Sequence, residues 1–575
     1  MTTFSQLKKN LKNDFSNLRR IKVALLGDSA TQLLSIALRG TGFDVGFDLQ
    51  IWEAHFNQIE RQIFDPASEL YEFNPEVVIV FQSSHKLLEK YNKLIPEEYN
   101  NLAEKRLEQI GSFCAAINAK LIAKVIYYNY PEIDDAIFGN YANKTPSSFI
   151  FQLRKLNYEL MLYAEKNPGF YICDLSSIQN QIGKAALFQP SMYINTEIVL
   201  GIDVLPLVAL RTTEILGAMY GKIKKCLVFD LDNTIWGGTI GDDGLENIQL
   251  GPLGIGKAFT ELQYWIKKLK NRGIILAVCS KNTELIAKEP FEKHPDMVLR
   301  LDDIAVFVAN WDNKVDNIRQ MQNTLNIGFD SMVYLDDNPF ERNMVREHIP
   351  SLTIPELPED PADFLEYLYG LNLFETASLS DEDAERTERY QTAAKRHIEQ
   401  QKHVDVDAFL ESLDMVSVVE PFNQFNTPRV AQLTQRSNQF NLRTIRYGVP
   451  DIEKLSSSSD HYNFTFTLKD KFGDNGLICV VILYKQSRET LFIDTWLMSC
   501  RVLKRGMENF VLNTIAGFAK EQGFNTLKGE YLPTAKNGIV KNHYEELGFC
   551  EKGDFWMLNV DTYKPKKSYI AKGDE

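Results

Sequence analysis

Cysteine is scarce in this sequence, and its spacing builds neither a metal site nor a disulfide framework. Seven cysteines are spread over 575 residues, and no two of them form a Cys-x-x-Cys pair. Several lie inside apolar runs that are typical of buried strands. An odd number of dispersed cysteines indicates a reducing compartment and excludes a structural zinc site.

Long apolar runs and an excess of positive charge are also missing. No apolar stretch is long enough to cross a bilayer, and the first ten residues lack the apolar core of a secretory signal. Acidic residues outnumber basic ones by 77 to 63, which gives a net charge of −14. General nucleic-acid binding is therefore disfavoured. We expect a cytoplasmic protein with no membrane span and no nucleic-acid partner.

The chain is too long for one hydrophobic core, so we expect three or four domains.

The most informative stretch of the chain is the apolar run 226–229, which predicts a buried strand and is followed by Asp230 and Asp232. Paired carboxylates at the carboxyl end of a strand favour a divalent cation such as Mg²⁺. A plain surface turn is the alternative, since Asp, Asn and Gly are common in turns.

Further strand-like runs end in residues that can bind phosphate or metal. Ser280 follows the run 274–279, Lys314 follows 305–309, and Asp336 and Asp337 follow 332–335. The order and the residue types resemble the haloacid dehalogenase-like (HAD) phosphotransferase superfamily. The resemblance implies that Asp230 is the nucleophile and Asp232 the acid/base.

The same resemblance implies the metal and substrate ligands. Asp230, Asp232 and Asp336 are expected to hold Mg²⁺. The residues expected to bind the phosphorylated substrate are Thr234, Ser280, Lys281, Asn282, Lys314 and Asp337.

Two longer segments, 230–244 and 278–282, are similar to the FkbH-like branch, HAD subfamily IIIC. The domain of that branch is proposed to process a phosphorylated glyceryl group, from 1,3-bisphosphoglycerate, for transfer to an acyl carrier protein. An acyl carrier protein is therefore the expected partner.

The glycine-rich segment 236–244 predicts a short flap, and one helix over 256–271 leaves no room for a large cap. An open cleft favours a macromolecular or carrier-tethered substrate over a free metabolite, or else a neighbouring domain that acts as a lid. Trp236 is either a lid residue or part of the packing of the flap, and the sequence favours neither.

Residues 1–220 show alternating strand and helix patterns, which predict a parallel sheet. The strand that runs into Gly27-Asp28-Ser29 resembles the SGNH hydrolases, in which this Ser is the nucleophile. The late Asp-x-x-His of that family is missing after Asp174. We therefore expect an SGNH-like fold with a vestigial site at Asp28 and Ser29, with an active esterase as the alternative.

Residues 416–575 resemble a GNAT acetyltransferase domain through Asn537, Tyr544 and the Gly-Phe pair that follows. The resemblance implies that Tyr544 protonates a departing thiolate. It also implies a cradle for an acyl or phosphopantetheine group, formed by Arg501, Lys504, Arg505, Gly506 and Asn537. Lys504 stands where that family has glycine, which puts the use of acyl-CoA in doubt.

A glyceryl thioester could form on Cys279 or Cys500, although such cysteines more often have a buried structural role.

Residues 371–415 are strongly charged and predict a connecting helix. We thus expect an α/β protein with an SGNH-like domain (1–220), a HAD-like domain of Rossmann type with a minimal cap (221–370), the connector (371–415) and a GNAT-like α+β domain (416–575).

Two other functions stay open beside glyceryl transfer. One is a plain phosphatase whose flanking domains are scaffolds. The other is an acyltransferase of cell-envelope or glycan biosynthesis that acts through the carboxyl-terminal domain.

Overall fold

The structure is a computed structural model, and it describes residues 2–379, 392, 406–499, 502–503, 505–534 and 536–573. Contacts between residues divide the chain into two units, Met1–Ala218 and Met219–Glu575. The first unit ends close to the boundary predicted at residue 220. The boundaries predicted at 370 and 416 stay predictions, and most of the predicted connector lies outside the described residues.

The first unit contains a five-stranded parallel sheet with the strand order β2-β1-β3-β4-β5. Strand β3 is buried along its whole length, and β1 is buried from Val23 to Gly27, as expected for a sheet covered on both faces. The strands are β1 (Arg19–Gly27), β2 (Phe47–Glu53), β3 (Val77–Phe81), β4 (Lys124–Tyr128) and β5 (Phe170–Cys173).

Helices connect the strands of this unit. They are α1 (Phe4–Asn10), α2 (Gln32–Asp44), α3 (Ile59–Phe64), α4 (Glu69–Phe73), α5 (Ser84–Tyr91), α6 (Leu102–Asn118), α7 (Phe149–Lys166), α8 (Leu175–Ile182), α9 (Lys184–Leu187), α10 (Pro190–Thr196) and α11 (Leu205–Met219). Short 3₁₀ helices cover Pro96–Asn101, Gly139–Lys144 and Ile202–Val204.

The second unit begins with a four-stranded parallel sheet in the order β8-β7-β6-β9. The strands are β6 (Cys226–Phe229), β7 (Ile275–Ser280), β8 (Ile304–Ala309) and β9 (Met332–Leu335). The helices are α12 (Ile240–Asp243), α13 (Gly254–Asn271), α14 (Glu284–Lys293), α15 (Lys314–Leu325), α16 (Pro339–His348) and α17 (Phe364–Leu371), with 3₁₀ turns at Leu301–Asp303, Phe329–Ser331 and Pro361–Asp363.

The same unit carries a nine-stranded, mostly antiparallel sheet. Its main path is β16-β17-β15-β14-β13-β12-β10-β18, and β11 pairs with β12. The strands are β10 (Met415–Ser417), β11 (Val419–Glu420), β12 (His461–Asp470), β13 (Gly473–Lys485), β14 (Thr490–Met498), β15 (Thr526–Gly529), β16 (Cys550–Lys552), β17 (Phe555–Asn559) and β18 (Ile570–Lys572). The helices are α18 (Val406–Glu411), α19 (Thr427–Arg436), α20 (Val449–Ser457), α21 (Met507–Glu521) and α22 (His543–Glu546), with a 3₁₀ turn at Gly538–Val540.

Strands β14 and β15 run parallel but pair only over 490–492 and 526–528. Beyond that point the chain itself covers the edge of β14. The Leu442 N–H donates to the Trp496 carbonyl (3.3 Å), and the Met498 N–H donates to the Phe440 carbonyl (3.1 Å). The edge of β14 next to β15 is therefore closed by residues 440–442.

The predicted fold class, a multi-domain α/β protein, is confirmed. Within the described residues, no helix is both long enough and apolar enough to cross a bilayer.

Candidate active site

The candidate site lies at the carboxyl edge of the four-stranded sheet. Strand β6 pairs with β7 on one side and with β9 on the other. The chain leaves β6 and β9 directly into Asp230 and Asp336, and Ser280 is the last residue of β7. Because the strand order reverses at β6, the ends of β6 and β9 flank the crevice in which open α/β sheets bind ligands.

Lys314 joins two of the acids of this crevice. Its ammonium group donates to Asp230 Oδ2 and to Asp336 Oδ2, each at 2.6 Å. Lys314 is 2% exposed and Asp336 is fully buried. A buried lysine held between two buried carboxylates is an ordered charge cluster, which surface residues do not form by chance.

Asp230, Asp336 and Asp337 form a group that could hold a cation, since their candidate ligand oxygens all lie within 4.8 Å of one another. Carboxylate oxygens are the ligands of hard divalent cations such as Mg²⁺. Lys314 supplies only one positive charge to three acids, so the donor set fits such a cation. The residues present therefore fit a magnesium site.

The ionisation of these groups reflects their burial. Burial raises the pKa of Asp230 above its usual range; Lys314 opposes this shift and Asp336 adds to it. Burial by itself would lower the pKa of Lys314, but Asp230 and Asp336 outweigh it and raise that pKa. Burial, with Asp336, also raises the pKa of Asp337. The cluster thus holds more negative charge than its single lysine stabilises.

The carboxylate of Asp232 is outside this group and is held by other partners. Its Oδ1 accepts from the Trp236 indole N–H (2.9 Å) and from the Ile240 N–H (3.0 Å), and its Oδ2 accepts from Asn282 Nδ2 (3.1 Å). Asp337 joins Asp230 and Asp336 in the carboxylate group, and Asp232 as a metal ligand stays a prediction. A carboxylate held by three donors is well oriented for proton transfer.

The remaining predicted ligands surround the acids. The Ser280 hydroxyl hydrogen-bonds to Asp230. The buried Thr234 hydroxyl donates to Asp337 Oδ1 and accepts from the Asp337 N–H, both at 3.1 Å. Lys281 pairs with Glu341 at 2.6 Å instead of pointing freely into the cleft.

Sequence reasoning missed two residues that order this edge. The Tyr334 hydroxyl donates to Asp336 Oδ2. Arg342 donates to the backbone carbonyls of Asp336 (2.8 Å) and Asp337 (2.7 Å). Tyr334 could have been found, since residues two apart on a strand face the same side. Nothing in the sequence indicates Arg342, whose contacts depend on how α16 packs.

Trp236 is completely buried, and its ring meets Phe291 edge-on. The structure thus favours the packing role over the lid role. The flap contains α12, and α13 starts at Gly254, close to the predicted 256.

Cys279 is fully buried, and burial raises the pKa of its thiol. A thiol needs exposure and a lowered pKa to react, so Cys279 has the properties of a core residue. Cys500, the other thioester candidate, lies outside the described residues.

Three residues of the predicted acyl cradle, Arg505, Gly506 and Asn537, are described by the structure. Arg505 contacts the buried Asp470 at 3.3 Å, and Gly506, at φ 78°, precedes α21. Asn537 is fully buried and donates to the carbonyls of Asn441 and Leu532, each at 2.9 Å. Arg501 and Lys504 lie outside the described residues.

Tyr544 lies in the core of the carboxyl-terminal sheet. It is 1% exposed, and burial raises its pKa. Its hydroxyl has no hydrogen-bond partner in the described part of the chain. This position gives no access to a substrate, so we leave Tyr544 out of the function proposed below.

In the first unit, Asp28 and Ser29 follow β1 as expected. Ser29 is fully buried, and its hydroxyl finds no hydrogen-bond partner among the described residues. Asp28 accepts the Ser83 N–H at 3.0 Å. No base is thus in hydrogen-bond contact with the Ser29 hydroxyl.

Comparisons with known proteins agree with the site. The family model for the FkbH N-terminal domain matches residues 22–217. The solved N-terminal part of the protein BF1531 from Bacteroides fragilis, which contains a phosphatase domain and is complexed with Mg, is 60% identical to this chain. That match covers 66% of this chain and 100% of the solved one, with a TM-score of 0.64. No curated protein sequence matches the chain significantly.

Acetyltransferase structures match at a much lower level. The ribosomal-protein-S18-alanine N-acetyltransferase from Escherichia coli is 14% identical, over 25% of this chain and 94% of its own, with a TM-score of 0.20. The spermidine N-acetyltransferase from Vibrio cholerae is 12% identical, over 25% and 96%, with a TM-score of 0.21. Scores this low add nothing to the assignment. The relative that is 60% identical and matched over its whole length, together with the family model, shows that the chain belongs to the FkbH-like family.

Proposed function

We propose that this chain is a Mg²⁺-dependent HAD-type phosphatase that works through an aspartyl-phosphate on Asp230. The observation that carries the proposal is the cluster at the carboxyl edge of the four-stranded sheet, in which Lys314 bridges Asp230 and Asp336 beside Asp337. The Mg in the Bacteroides relative supports the same choice of cation.

Asp230, Asp336 and Asp337 would hold the metal ion, which when bound neutralises charge on the phosphoryl group. The remaining work belongs to side chains of the chain. Lys314 stabilises negative charge at the point of attack, and phosphoryl transfer depends mainly on such positioning and charge stabilisation. Lys314 also fixes the Asp230 carboxylate in place.

The reaction has two steps. An Asp230 oxygen attacks phosphorus, the bond to the leaving oxygen breaks, and Asp232 donates a proton to that oxygen. Water then attacks the phosphorus of the aspartyl-phosphate and gives its proton to Asp232. This attack releases phosphate and restores Asp230. Burial raises the pKa of Asp232, and a raised pKa suits a group that must both give and take a proton.

The finer part of the proposal concerns the substrate. We infer that it is a phosphoglyceryl compound such as 1,3-bisphosphoglycerate, and that the glyceryl group passes to the thiol of an acyl carrier protein. Membership of the FkbH-like family supports this inference. The short flap supports it too, since only α12 and α13 lie between Asp230 and β7 and a tethered substrate needs an open cleft. A cytoplasmic location belongs to the same proposal.

A plain phosphatase is the second candidate, and one observation favours it. Two of the carboxyl-terminal residues predicted to hold an acyl group, Arg505 and Asn537, are engaged in structural contacts, and residues 440–442 close the edge of β14. A scaffold role for that domain would explain both features. No contact in the described residues favours an acyltransferase.

The test measures phosphate release from 1,3-bisphosphoglycerate and a panel of phosphate esters, with Mg²⁺ and with or without a carrier protein. Asp230→Asn is the inactive variant, and Asp242→Asn, an exposed acid of the flap, is the matched control. Carrier-dependent release with a glyceryl mass shift on the carrier supports transfer. Carrier-independent release that is lost in Asp230→Asn supports the plain phosphatase. Release that survives in Asp230→Asn refutes both.

A further inference from the structure

The first unit contains a cavity that the phosphatase chemistry does not use. It has a volume of about 430 Å³, within the range of small-molecule sites. It lies where β1 and β3 end, and its polar lining includes Asp28, Glu60, Gln82, Lys86, Lys90 and Lys93. In the sheet, β1 lies between β2 and β3, so the order of the strands reverses at β1. Ligands of open α/β sheets bind in the crevice at such a reversal.

Several hydrogen-bond donors of this cavity have no acceptor within the described chain. Gln82 is 3% exposed, and its Oε1 accepts from the Tyr127 hydroxyl at 2.8 Å. The amide nitrogen of Gln82 is thereby left for the cavity. The ammonium groups of Lys90 and Lys93 make no hydrogen bond or ion pair with the residues that the structure describes.

The acids of the cavity, in contrast, are engaged. Both oxygens of Asp28 accept the Ser83 N–H at 3.0 Å. Glu89 accepts from Lys86 at 3.2 Å and from the Tyr193 hydroxyl. Glu60 accepts from the Gln109 amide. Burial also raises the pKa of Asp28 to about 6. The groups left over are therefore donors, and two of them carry positive charge.

A buried arginine adds positive charge close to the cavity. Arg106 is 5% exposed; its Nε donates to the Tyr130 hydroxyl at 3.0 Å and its Nη1 donates to Gln109. It forms no ion pair with a carboxylate in the part of the chain that is described. The Tyr130 hydroxyl bonds to Tyr127, which in turn bonds to Gln82. Asp28 lies close enough to interact electrostatically with this guanidinium, and a bound anion would offset more of the cost of burying it.

We propose that this cavity binds a small molecule through an oxyanion, a carboxylate or a phosphate, and does not hydrolyse it. Lys90, Lys93 and the Gln82 amide supply the donors. Ser29, the residue a hydrolase would use, is fully buried, and its hydroxyl contacts no base among the described residues. A serine nucleophile requires such a base. The proposal is independent of Asp230 and of the phosphatase chemistry.

Isothermal titration calorimetry of the full chain without Mg²⁺ tests the proposal, with inorganic phosphate and malonate as separate probes. We expect at least one probe to bind, and Lys90→Gln and Lys93→Gln each to weaken binding about tenfold, a loss of about 1.4 kcal/mol. Binding of phosphate alone or of malonate alone identifies the oxyanion. Lys12→Gln, which changes an exposed lysine of the same unit, is expected to bind normally. Ser280→Ala, which removes a predicted phosphate ligand of the phosphatase site, is also expected to bind normally.

Three results would overturn the proposal. The first is the absence of binding by both probes. The second is unchanged affinity in both Lys90→Gln and Lys93→Gln. The third is a loss of binding in Ser280→Ala, which would place the anion at the phosphatase site. Ester hydrolysis that disappears in Ser29→Ala would overturn the statement that the site is not hydrolytic.

Discussion

Replacing Lys314 by Met tests whether this lysine holds the acidic cluster together. Lys314 is 2% exposed and donates at 2.6 Å to both Asp230 and Asp336. Methionine has a similar length and no charge, so Lys314→Met leaves two buried carboxylates without their partner. Breaking a buried ion pair in this way costs about 3–5 kcal/mol of unfolding free energy.

Mg²⁺ should recover part of that loss, because a cation that binds only the folded chain stabilises it. At a free concentration about 100 times its dissociation constant the gain is about 2.7 kcal/mol. We therefore expect Lys314→Met to be much less stable in EDTA than in Mg²⁺, with the wild type showing a smaller difference. Phosphate release should be lost in both conditions, since the lysine also stabilises charge on the phosphoryl group.

The assay is scanning calorimetry of the full chain in EDTA and in Mg²⁺, with the transition of the phosphatase domain followed in each. Lys288→Met is the matched control, because Lys288 makes a partly exposed pair with Glu284 in the same domain. An exposed pair of this kind is worth about 0.3–0.5 kcal/mol. The reasoning fails if Lys314→Met is no less stable than Lys288→Met, or if it keeps full activity.

Three further predictions concern other parts of the chain. Asp232→Asn should lower the rate of phosphate release about 10²–10⁴-fold without unfolding the domain, as rates and circular dichroism would show; an unchanged rate would exclude Asp232 as acid/base. Asp28 has a folded pKa of about 6 against 3.8 unfolded, so its contribution to stability is full below about pH 4 and is lost as the pH rises through 6. Relative to wild type, Asp28→Asn should therefore gain up to about 3 kcal/mol between pH 4 and pH 7, measured by urea unfolding; an equal difference at both pH values would contradict this. Gly529→Ala should cost about 1–3 kcal/mol, measured as a lower Tm, because its added Cβ would overlap the buried Tyr544 ring; an unchanged Tm would show that the ring can move.

The position of the site was predictable because it depends on strand ends. Asp230, Ser280 and Asp336 end or directly follow short buried runs, and parallel strands bring such ends to one edge. Lys314 follows β8 and is the first residue of α15, so its position near the acids could also be predicted. These features are local in sequence, so the pattern of apolar runs followed by polar residues reveals them.

The roles within the site were less predictable because they depend on loops. The sequence names Asp232 as a functional acid, but it does not show that the flap supplies its carboxylate with donors from Trp236 and Ile240. The acyl cradle stays a prediction for a similar reason, since a buried Asn537 that donates to backbone carbonyls has the same sequence pattern as a binding residue.

The central claim is that Asp230 becomes phosphorylated. The direct measurement mixes the enzyme and Mg²⁺ with a labelled phosphate substrate, quenches in acid, and maps the label by peptide mass spectrometry. The account predicts label on the peptide that contains Asp230 and none in Asp230→Asn. Phosphate release with no label on that peptide would contradict the account.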